Sequence, residues 1–332
     1  MSDAEMGAAG MSAAEMSAAE RSARPRLLRL RDAGVREVRF EVTRDCAARE
    51  ALLGAGVSKA EAGRILARGS LTRAGEPVRE GARLAAGDEV CLELARTAGR
   101  GPARPGRASA PASVICHDRF FVAVDKPAGL IVHGDGSGCE TLTDRVQAWA
   151  DGRGLGCSVQ ALQRLDADTT GVVLFSLTEE FQGGFDALVA GHDMRKRYLL
   201  EVAAGFPEGE RRIERPIGRD RHDARRMRVS ASGKAAATRV RKLGEANGRS
   251  LVLAELETGR RHQIRVHLQS MGFPLAGDAL YGGPRADGLM LHALEEALLH
   301  PVTGERLTVR APWPKRFERD FSARDYPQIR HT

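Results

Sequence analysis

Residues 163–171 have the sequence Gln-Arg-Leu-Asp-Ala-Asp-Thr-Thr-Gly, and the next four residues, 172–175, are Val-Val-Leu-Phe. A short apolar run that follows a polar turn predicts a buried strand. This transition would hold Asp166 at the edge of a core, where a carboxylate loses water unless another group pairs with it. A solvated turn that only leads into a strand is the simpler alternative, because Asp, Thr and Gly commonly form such turns.

The charge of the chain favours a polyanionic partner. The 332 residues carry 51 Lys and Arg against 44 Asp and Glu, a formal net charge of +7. Between Arg211 and Lys242 there are twelve Lys and Arg but three Asp and Glu, a larger excess than that of the whole chain. This concentration predicts a landing surface for phosphates. A charged hairpin that only faces water would give the same pattern.

The cysteines and the apolar segments exclude several classes of protein. The five cysteines are far apart and none forms a Cys-x-x-Cys pair, so neither a zinc knuckle nor a disulfide framework is indicated. No apolar segment approaches the roughly 20 residues that span a bilayer, and the N-terminus lacks the pattern of a secretory signal. A cytoplasmic protein with reduced thiols and no membrane association is expected.

Composition divides the chain into five predicted segments. Residues 1–25 are low in complexity and predict a disordered tail. A small α/β module is predicted over 36–94, and a basic, flexible linker rich in Gly, Pro and Ala over 95–113. A large domain is predicted over 114–315, followed by a C-terminal tail over 316–332.

The small module has clear local signals. Apolar residues alternate from Val38 to Val42, as in a half-buried strand. Ser58 is a predicted N-cap for a helix over 59–68, and Gly69 is its predicted end.

A second polar group lies on a predicted helix of the large domain. Apolar residues at i, i+4 and i+7 from Ile264 predict an amphipathic helix, with Arg265 on a separate polar face. A zinc site on His262 and His267 is not expected, because side chains five residues apart on a helix point about 140° from each other. No metal is therefore predicted.

Seven short segments follow one another in a fixed order. They are Lys126-Pro127-Ala128-Gly129, Arg164-Leu165-Asp166 with Thr170-Gly171, Lys196-x-Tyr198, Pro216-Ile217-Gly218-Arg219, Gly259-Arg260-x-His262-Gln263-Ile264-Arg265-x-His267, Gly277-Asp278 with Tyr281-Gly282, and His300-Pro301-x-Thr303-Gly304. In these segments the large domain resembles the RluA family of pseudouridine synthases. The module over 36–94 resembles the alpha-L RNA-binding domain, which often precedes this catalytic domain in the family.

The resemblance implies a fold and an activity. The fold would be α+β, with a mixed, largely antiparallel central sheet, flanking helices and a catalytic cleft, plus the small N-terminal α/β RNA-binding module. The enzyme would isomerise uridine to pseudouridine in RNA. The reaction breaks the bond from ribose to the ring nitrogen, turns the uracil and rejoins it through ring carbon C5. No net redox change occurs, so no cofactor is expected.

The resemblance also assigns roles to residues. Asp166 falls on the catalytic aspartate, Arg265 on the basic residue that pairs with it, and Tyr198 on the tyrosine that stacks on the target base. Arg164 falls on the arginine that fills space around the flipped nucleotide. The other candidate RNA-binding residues are Arg219, Arg221, Arg225 and Arg226 in the basic segment, and Lys59, Arg64 and Arg68 in the module.

The sequence is compatible with more than one substrate and with two alternative functions. Gln163 stands where the family usually has His, which bears on target preference rather than on activity. Large-subunit ribosomal RNA is the first expected substrate and transfer RNA the second, with the protein acting as a monomer in ribosome biogenesis. One alternative is a catalytically idle RNA-binding assembly factor. The other is a glycoside hydrolase that uses Asp166 and Asp168 as a carboxylate pair, although Asp168 is better explained as a turn-former.

Overall fold

A computed structural model describes residues 26–95, 110–134, 136 and 138–330. The predicted tail over 1–25 and most of the predicted linker, 96–109, lie outside the described residues. The described residues form a small N-terminal sheet and a large sheet.

The N-terminal sheet has five strands in the order β1-β2-β7-β4-β5, and β3 pairs separately with β6. The elements of this module are β1 (Leu28–Ala33), β2 (Glu37–Val42), β3 (Cys46–Ala47), α1 (Ala48–Gly54), α2 (Lys59–Arg68), β4 (Leu71–Arg73), β5 (Glu76–Pro77), β6 (Arg83–Leu84) and β7 (Glu89–Glu93). Helix α2 begins and ends where its local signals predict. Ser58 Oγ accepts a hydrogen bond from the Glu61 amide at 3.2 Å, and Gly69 adopts the left-handed conformation with φ +73°.

The module extends further toward the N-terminus than predicted. Strand β1 lies before residue 36 and pairs antiparallel with β2, with Leu28 opposite Val42. Its residues alternate Leu-Arg-Leu-Arg, and Leu28 is buried against the sheet core. The alternation that predicted β2 is thus also present in β1, in a segment that the prediction starting at residue 36 did not include.

The large sheet has ten strands, eight of them in the order β13-β16-β17-β12-β18-β11-β9-β8. Strand β10 pairs with β11, and β19 pairs with β18. The strands are β8 (Val114–His117), β9 (Phe121–Lys126), β10 (Gln160–Ala161), β11 (Thr170–Ser176), β12 (Arg195–Ala203), β13 (Glu210–Glu214), β16 (Ala237–Ala246), β17 (Arg249–Leu256), β18 (Leu291–Leu299) and β19 (Arg306–Arg310), and a separate hairpin is formed by β14 (Ile217–Arg219) and β15 (Met227–Val229).

Helices flank this sheet. They are α3 (Leu142–Gly152), α4 (Glu179–Ala190), α5 (Gln263–Ser270), the 3-10 turns Lys315–Phe317 and Ala323–Asp325, and α6 (Pro327–Arg330). Helix α3 begins with a capping box, in which Thr141 and Asp144 each accept a hydrogen bond from the other's backbone amide. The mixed, mostly antiparallel sheet with flanking helices confirms the predicted α+β class.

The predicted catalytic segment enters the sheet beside a parallel neighbour. Within the described part of the large sheet, β11 and β18 are the parallel pair, with Gly171 opposite Ala293. Gly171 has φ +109°, and a Cβ atom there would lie 2.1 Å from the Ala293 carbonyl oxygen. A glycine is therefore required at this position, and it sets the place at which the loop carrying Asp166 leaves the core.

The two sheets are packed against each other. The ring centroids of Phe40 in the module and Phe181 on α4 are 6.2 Å apart. Arg119 donates hydrogen bonds to the backbone carbonyls of Gly34 at 2.9 Å and Val35 at 2.7 Å. Apolar residues of both parts contribute to one continuous core cluster, so the module and the large domain form a single packed unit.

A pair of glycines on α4 permits this close approach. A Cβ atom at Gly183 would lie 2.6 Å from Ser58 Cβ, and one at Gly184 would lie 2.8 Å from the Gly56 carbonyl oxygen. Larger side chains at these positions would separate the module from the large domain.

The predicted C-terminal tail is part of the fold. Phe317, Phe321 and Tyr326 are buried in a cluster with Leu199 and Leu251 of the large sheet. The predicted boundary at 315 therefore does not mark the end of the packed structure, which continues through the described residues to 330. The short 3-10 turns of this segment give no helical periodicity that would have revealed the packing.

A buried carboxylate lies beneath this C-terminal segment. Glu201 on β12 is fully buried, and neither of its carboxylate oxygens has a hydrogen-bond partner among the described residues. Burial, with a further contribution from Asp320, raises the pKa of Glu201 to about 7. The folded protein therefore binds this proton more tightly than the unfolded chain, and the resulting stability is lost as the pH rises through about 7.

Replacing this carboxylate is expected to stabilise the protein at alkaline pH. The variant Glu201→Gln should raise the free energy of unfolding at pH 8 by about 1–3 kcal/mol, because it removes a buried charge without hydrogen-bond partners. The gain should be much smaller at pH 4.5, where Glu201 is protonated in the folded protein and about half protonated in the unfolded chain. Denaturant titrations at the two pH values measure the difference, with the exposed Glu318→Gln as control. An equal effect at both pH values would contradict this explanation.

Candidate active site

The carboxylate and the guanidinium identified from the sequence meet in the structure. Asp166 lies in the loop before β11, and Arg265 lies in the first turn of α5. Arg265 Nη1 donates a hydrogen bond to Asp166 Oδ2 at 3.1 Å, although the two residues are 99 positions apart in the chain. The side chain of Asp166 is 28% exposed and that of Arg265 is 12% exposed, so the carboxylate faces the solvent while its partner is nearly buried.

Arg265 has a second, stronger partner. Its Nε and Nη2 atoms donate to the two carboxylate oxygens of Asp278, at 2.7 and 2.8 Å, and the Asp278 side chain is fully buried. Burial opposes the charge on Arg265, but the hydrogen bonds and attraction from Asp278, and then from Asp166, outweigh it and raise its pKa. The guanidinium is therefore a permanent cation that Asp278 orients toward Asp166.

A histidine and a tyrosine complete the polar network. Tyr281 Oη accepts a hydrogen bond from the Met227 amide at 2.8 Å and lies 2.9 Å from His262 Nδ1. His262 Nε2 is 3.7 Å from Asp166 Oδ2. Burial lowers the pKa of His262, despite the opposing attraction of Asp166, so this ring is neutral at pH 7. If the Tyr281 hydroxyl donates to Nδ1, the ring proton lies on Nε2 and faces Asp166.

A buried ammonium group also contacts the loop of Asp166, at the carbonyl oxygen of Ala167. Lys126 is fully buried, and its Nζ donates to the carbonyl oxygens of Pro127 at 2.9 Å, Leu130 at 2.5 Å and Ala167 at 2.6 Å. Burial lowers the pKa of Lys126 to about 8, while Asp168 and then Asp166 oppose the shift. At pH 7 all three of its protons are engaged, and the residue directly after Asp166 is fixed by one of them.

Tyr198 lies close to this centre, on β12. It is 7% exposed and belongs to the apolar cluster that also contains Leu165 and Ile264. Burial, followed by the charges of Glu296 and Asp166, raises its pKa. Its hydroxyl is therefore protonated in the free protein, which suits a stacking surface or a proton donor better than a base.

The basic hairpin β14–β15 reaches the polar network. The Met227 amide of this hairpin contacts Tyr281, and the Arg226 guanidinium lies 5.3 Å from the Tyr281 ring centroid. The side chains of Arg164, Arg219, Arg221 and Arg225 are exposed. Arg225 is paired with Asp223 at 2.8 Å. Arg226 is thus the hairpin residue that lies beside the polar network, and Arg164 belongs to the loop of Asp166 itself.

The predicted RNA-binding residues of the module have acidic partners. Lys59 on α2 is exposed. Arg64 Nε donates to Glu61 at 2.6 Å, and Arg68 donates to the same carboxylate at 3.1 Å. One glutamate therefore offsets part of the positive charge that the sequence predicts for this helix.

Four residues of the network had no individual role in the sequence analysis. They are Lys126, His262, Asp278 and Tyr281. All four lie in the short segments that carry the family resemblance. Asp168 is exposed, whereas Asp166 contacts Arg265, so the two carboxylates occupy different environments.

The described residues contain neither a metal-binding cluster nor a membrane-spanning helix. Among residues 26–95, 110–134, 136 and 138–330, no group of three or more His, Cys, Asp or Glu is arranged to hold a metal ion. Within the same ranges, no helix has the length and apolar character needed to cross a membrane.

The chain is similar to proteins of one family. Residues 120–270 match the family model described as RNA pseudouridylate synthase. An uncharacterized RNA pseudouridine synthase of Bacillus subtilis, YhcT, is 35% identical over 207 residues, which cover 60% of this chain and 68% of that protein. Ribosomal large subunit pseudouridine synthase D of Nitrosomonas europaea is 37% identical over 217 residues, which cover 61% of this chain and 62% of that protein.

A solved structure shares the fold. Human RNA pseudouridylate synthase domain containing 1 aligns with a TM-score of 0.56 and 24% identity, covering 67% of this chain and 95% of the human chain. This similarity concerns the fold, whereas the sequence relatives establish the family. The chain belongs to the RNA pseudouridine synthases of the RluA type, enzymes that isomerise uridine to pseudouridine in RNA.

Proposed function

We propose that this pseudouridine synthase modifies large-subunit ribosomal RNA in the cytoplasm, as a monomer, and that Asp166 is its nucleophile. The observation that carries the assignment is the contact between Asp166, Arg265 and Asp278. The buried carboxylate of Asp278 orients the Arg265 guanidinium toward the partly exposed carboxylate of Asp166. Several relatives named ribosomal large subunit pseudouridine synthase D support the choice of RNA.

Access to the uridine requires the base to leave its stack. Removing a base from a helix costs a few kcal/mol, which stacking on an aromatic ring offsets. Tyr198 provides such a ring beside Asp166, and the exposed Arg164 is placed two residues before Asp166 to fill the vacated space. Arg219, Arg221, Arg225 and Arg226 would neutralise the phosphates around the opened site.

The chemistry then depends on the charge of Asp166. A carboxylate that attacks the ribose or ring carbon allows the bond to the ring nitrogen to break, after which the uracil turns, rejoins through C5 and the bond to the carboxylate breaks. The C5 proton leaves and the ring nitrogen gains a proton, so the reaction is an isomerisation. Arg265 contributes a fixed positive charge next to the carboxylate, and this charge needs no reorganisation during the reaction.

The N-terminal module is proposed as a second RNA contact. Lys59, Arg64 and Arg68 lie on one helix of the module, which shares a core cluster with the large domain. Because Glu61 pairs with both arginines, the contribution of this helix to RNA affinity should be moderate and sensitive to salt.

The experiment uses RNA labelled with tritium at uracil C5. Large-subunit ribosomal RNA and transfer RNA are prepared from a strain that lacks this protein, so that the target uridine is unmodified. Incubation with the protein should release tritium into water from the ribosomal RNA, and sequencing should map the new pseudouridine. Release from transfer RNA alone would overturn the proposed substrate. Binding of both RNAs without release from either would instead indicate an idle assembly factor.

A further inference from the structure

The C-terminal segment delivers an arginine to the base of the catalytic loop. Arg316 lies in the 3-10 turn Lys315–Phe317, and Phe317, which is fully buried, anchors that turn in the core cluster with Leu199. The Arg316 side chain is half-buried and points to the start of β11. No part of the reaction described above uses this residue.

One nitrogen of Arg316 connects the two parallel strands. Its Nη2 donates to Thr170 Oγ1 at 2.9 Å and to the Leu291 carbonyl oxygen at 2.8 Å. Thr170 begins β11 and Leu291 begins β18. Both protons on Nη2 are therefore used to hold the strands together where Gly171 brings them closest.

The hydrogen bond continues beyond Thr170. Thr170 Oγ1 lies 2.8 Å from His292 Nδ1. Since Arg316 has no acceptor, Thr170 accepts from it and uses its own single proton to donate to His292. Burial, followed by repulsion from Arg316, lowers the pKa of His292 to about 3, so the imidazole is neutral and accepts this proton. These two hydrogen bonds, one accepted and one donated by the hydroxyl, fix the rotamer of Thr170.

The segment that follows Asp166 is thus held by two cations. Lys126 Nζ donates to the carbonyl oxygen of Ala167, the next residue, at 2.6 Å. Arg316 Nη2 donates to the side chain of Thr170, four residues after Asp166. Within the loop, the Thr169 amide donates to the Asp166 carbonyl oxygen at 3.1 Å. A displacement of Thr170 would therefore be transmitted to the backbone of Asp166.

We propose that Arg316 is a positioning residue for pseudouridine formation, acting through Thr170 to hold the Asp166 loop in its reactive geometry. This inference rests on the proposed role of Asp166 as the nucleophile. Arg316 does not touch the reacting atoms, and its removal should affect the rate of the chemical step rather than the binding of RNA. Misplacement of a reactive group by about 1 Å costs about 10²-fold in rate.

The first measurement compares Arg316→Met with Arg319→Met. Arg319 is exposed three residues further along the same segment, so its replacement removes the same charge without the contact to Thr170. Under single-turnover conditions with C5-tritiated RNA, Arg316→Met should lower the rate about 10–100-fold with less than about a twofold change in the Kd for RNA. Arg319→Met should leave the rate unchanged. Equal effects of the two variants, or an effect on Kd alone, would overturn the proposal.

The second measurement tests whether Arg316 acts through Thr170. The variant Thr170→Val removes the hydroxyl at nearly constant volume, and Thr170→Ser retains it. Valine should reproduce the loss caused by Arg316→Met, serine should retain most of the activity, and the double variant Arg316→Met/Thr170→Val should be no slower than either single variant. If the rate loss of the double variant equalled the product of the two single losses, Arg316 and Thr170 would act independently and the coupling would be excluded.

These outcomes are distinguishable from a failure of the proposed function. If Asp166 were not the nucleophile, Asp166→Asn would retain activity irrespective of the Arg316 results. If Arg316→Met did not fold, as judged by circular dichroism, the comparison of Thr170→Val with Thr170→Ser would still decide the proposal. Similar rates for the two Thr170 variants would overturn it.

Discussion

The variant Asp166→Asn is expected to lower the rate of pseudouridine formation by about 10⁴-fold or more, as for the loss of a nucleophile in other enzymes. An amide has nearly the same shape but cannot attack carbon as a carboxylate does. The fold should persist, because Arg265 keeps both hydrogen bonds to Asp278. RNA affinity should be unchanged or higher, since a negative charge is removed from a surface that binds phosphates.

Two assays on the same protein check this result. Tritium release from C5-labelled RNA measures turnover, and a filter-binding titration measures the Kd. The matched control is Asp168→Asn, which removes an exposed carboxylate two residues away and should leave turnover within a few-fold of the wild type. Activity that survives in Asp166→Asn would refute the nucleophile assignment, and equal losses in both variants would favour a carboxylate pair.

The variant Asp278→Asn should have the second largest effect. The substitution removes the negative charge that accepts two hydrogen bonds from Arg265. The amide nitrogen of the new side chain would face one of the guanidinium N–H groups. Loss of one partner from a buried ion pair typically costs about 3–5 kcal/mol, and Asp166 can compensate for only part of this. We expect destabilisation near the lower end of that range and a fall in rate of about 10²-fold, because Arg265 can then turn away from its present orientation.

Thermal unfolding and single-turnover rates measure these two consequences. The control is Asp186→Asn on α4, an exposed carboxylate away from Arg265, which should change neither quantity. An Asp278→Asn protein with wild-type stability and rate would show that Asp278 does not orient the guanidinium.

Local signals in the sequence were sufficient for several elements. Helix α2 has its N-cap at Ser58 and its left-handed end at Gly69 because each of these signals acts within a few residues. The apolar run after Asp166 became the buried strand β11 for a similar reason, since every residue from Gly171 to Ser176 is buried. The meeting of Asp166 with Arg265 came from the family resemblance, not from periodicity.

The parts that escaped prediction depend on distant contacts. Asp278 had no assigned role because its partner, Arg265, is on a helix that the sequence alone does not orient toward it. The segment after residue 315 has aromatic residues but no regular spacing, and its packing becomes visible only once Leu199 and Leu251 are in place. The role of Arg316 could not be predicted for the same reason, since its contact with Thr170 spans 146 positions in the chain.

The shared core between the module and the large domain has a further consequence. With Phe40 against Phe181 and two α4 glycines pressed onto the loop Gly56–Ser58, the small sheet cannot swing independently. The packing therefore fixes the distance between the module and the loop of Asp166. Under the RNA-binding role proposed for the module, an RNA can contact both parts only if its anchoring element and its target uridine are separated by that fixed distance. The packing itself would then discriminate among uridines in otherwise similar sequences.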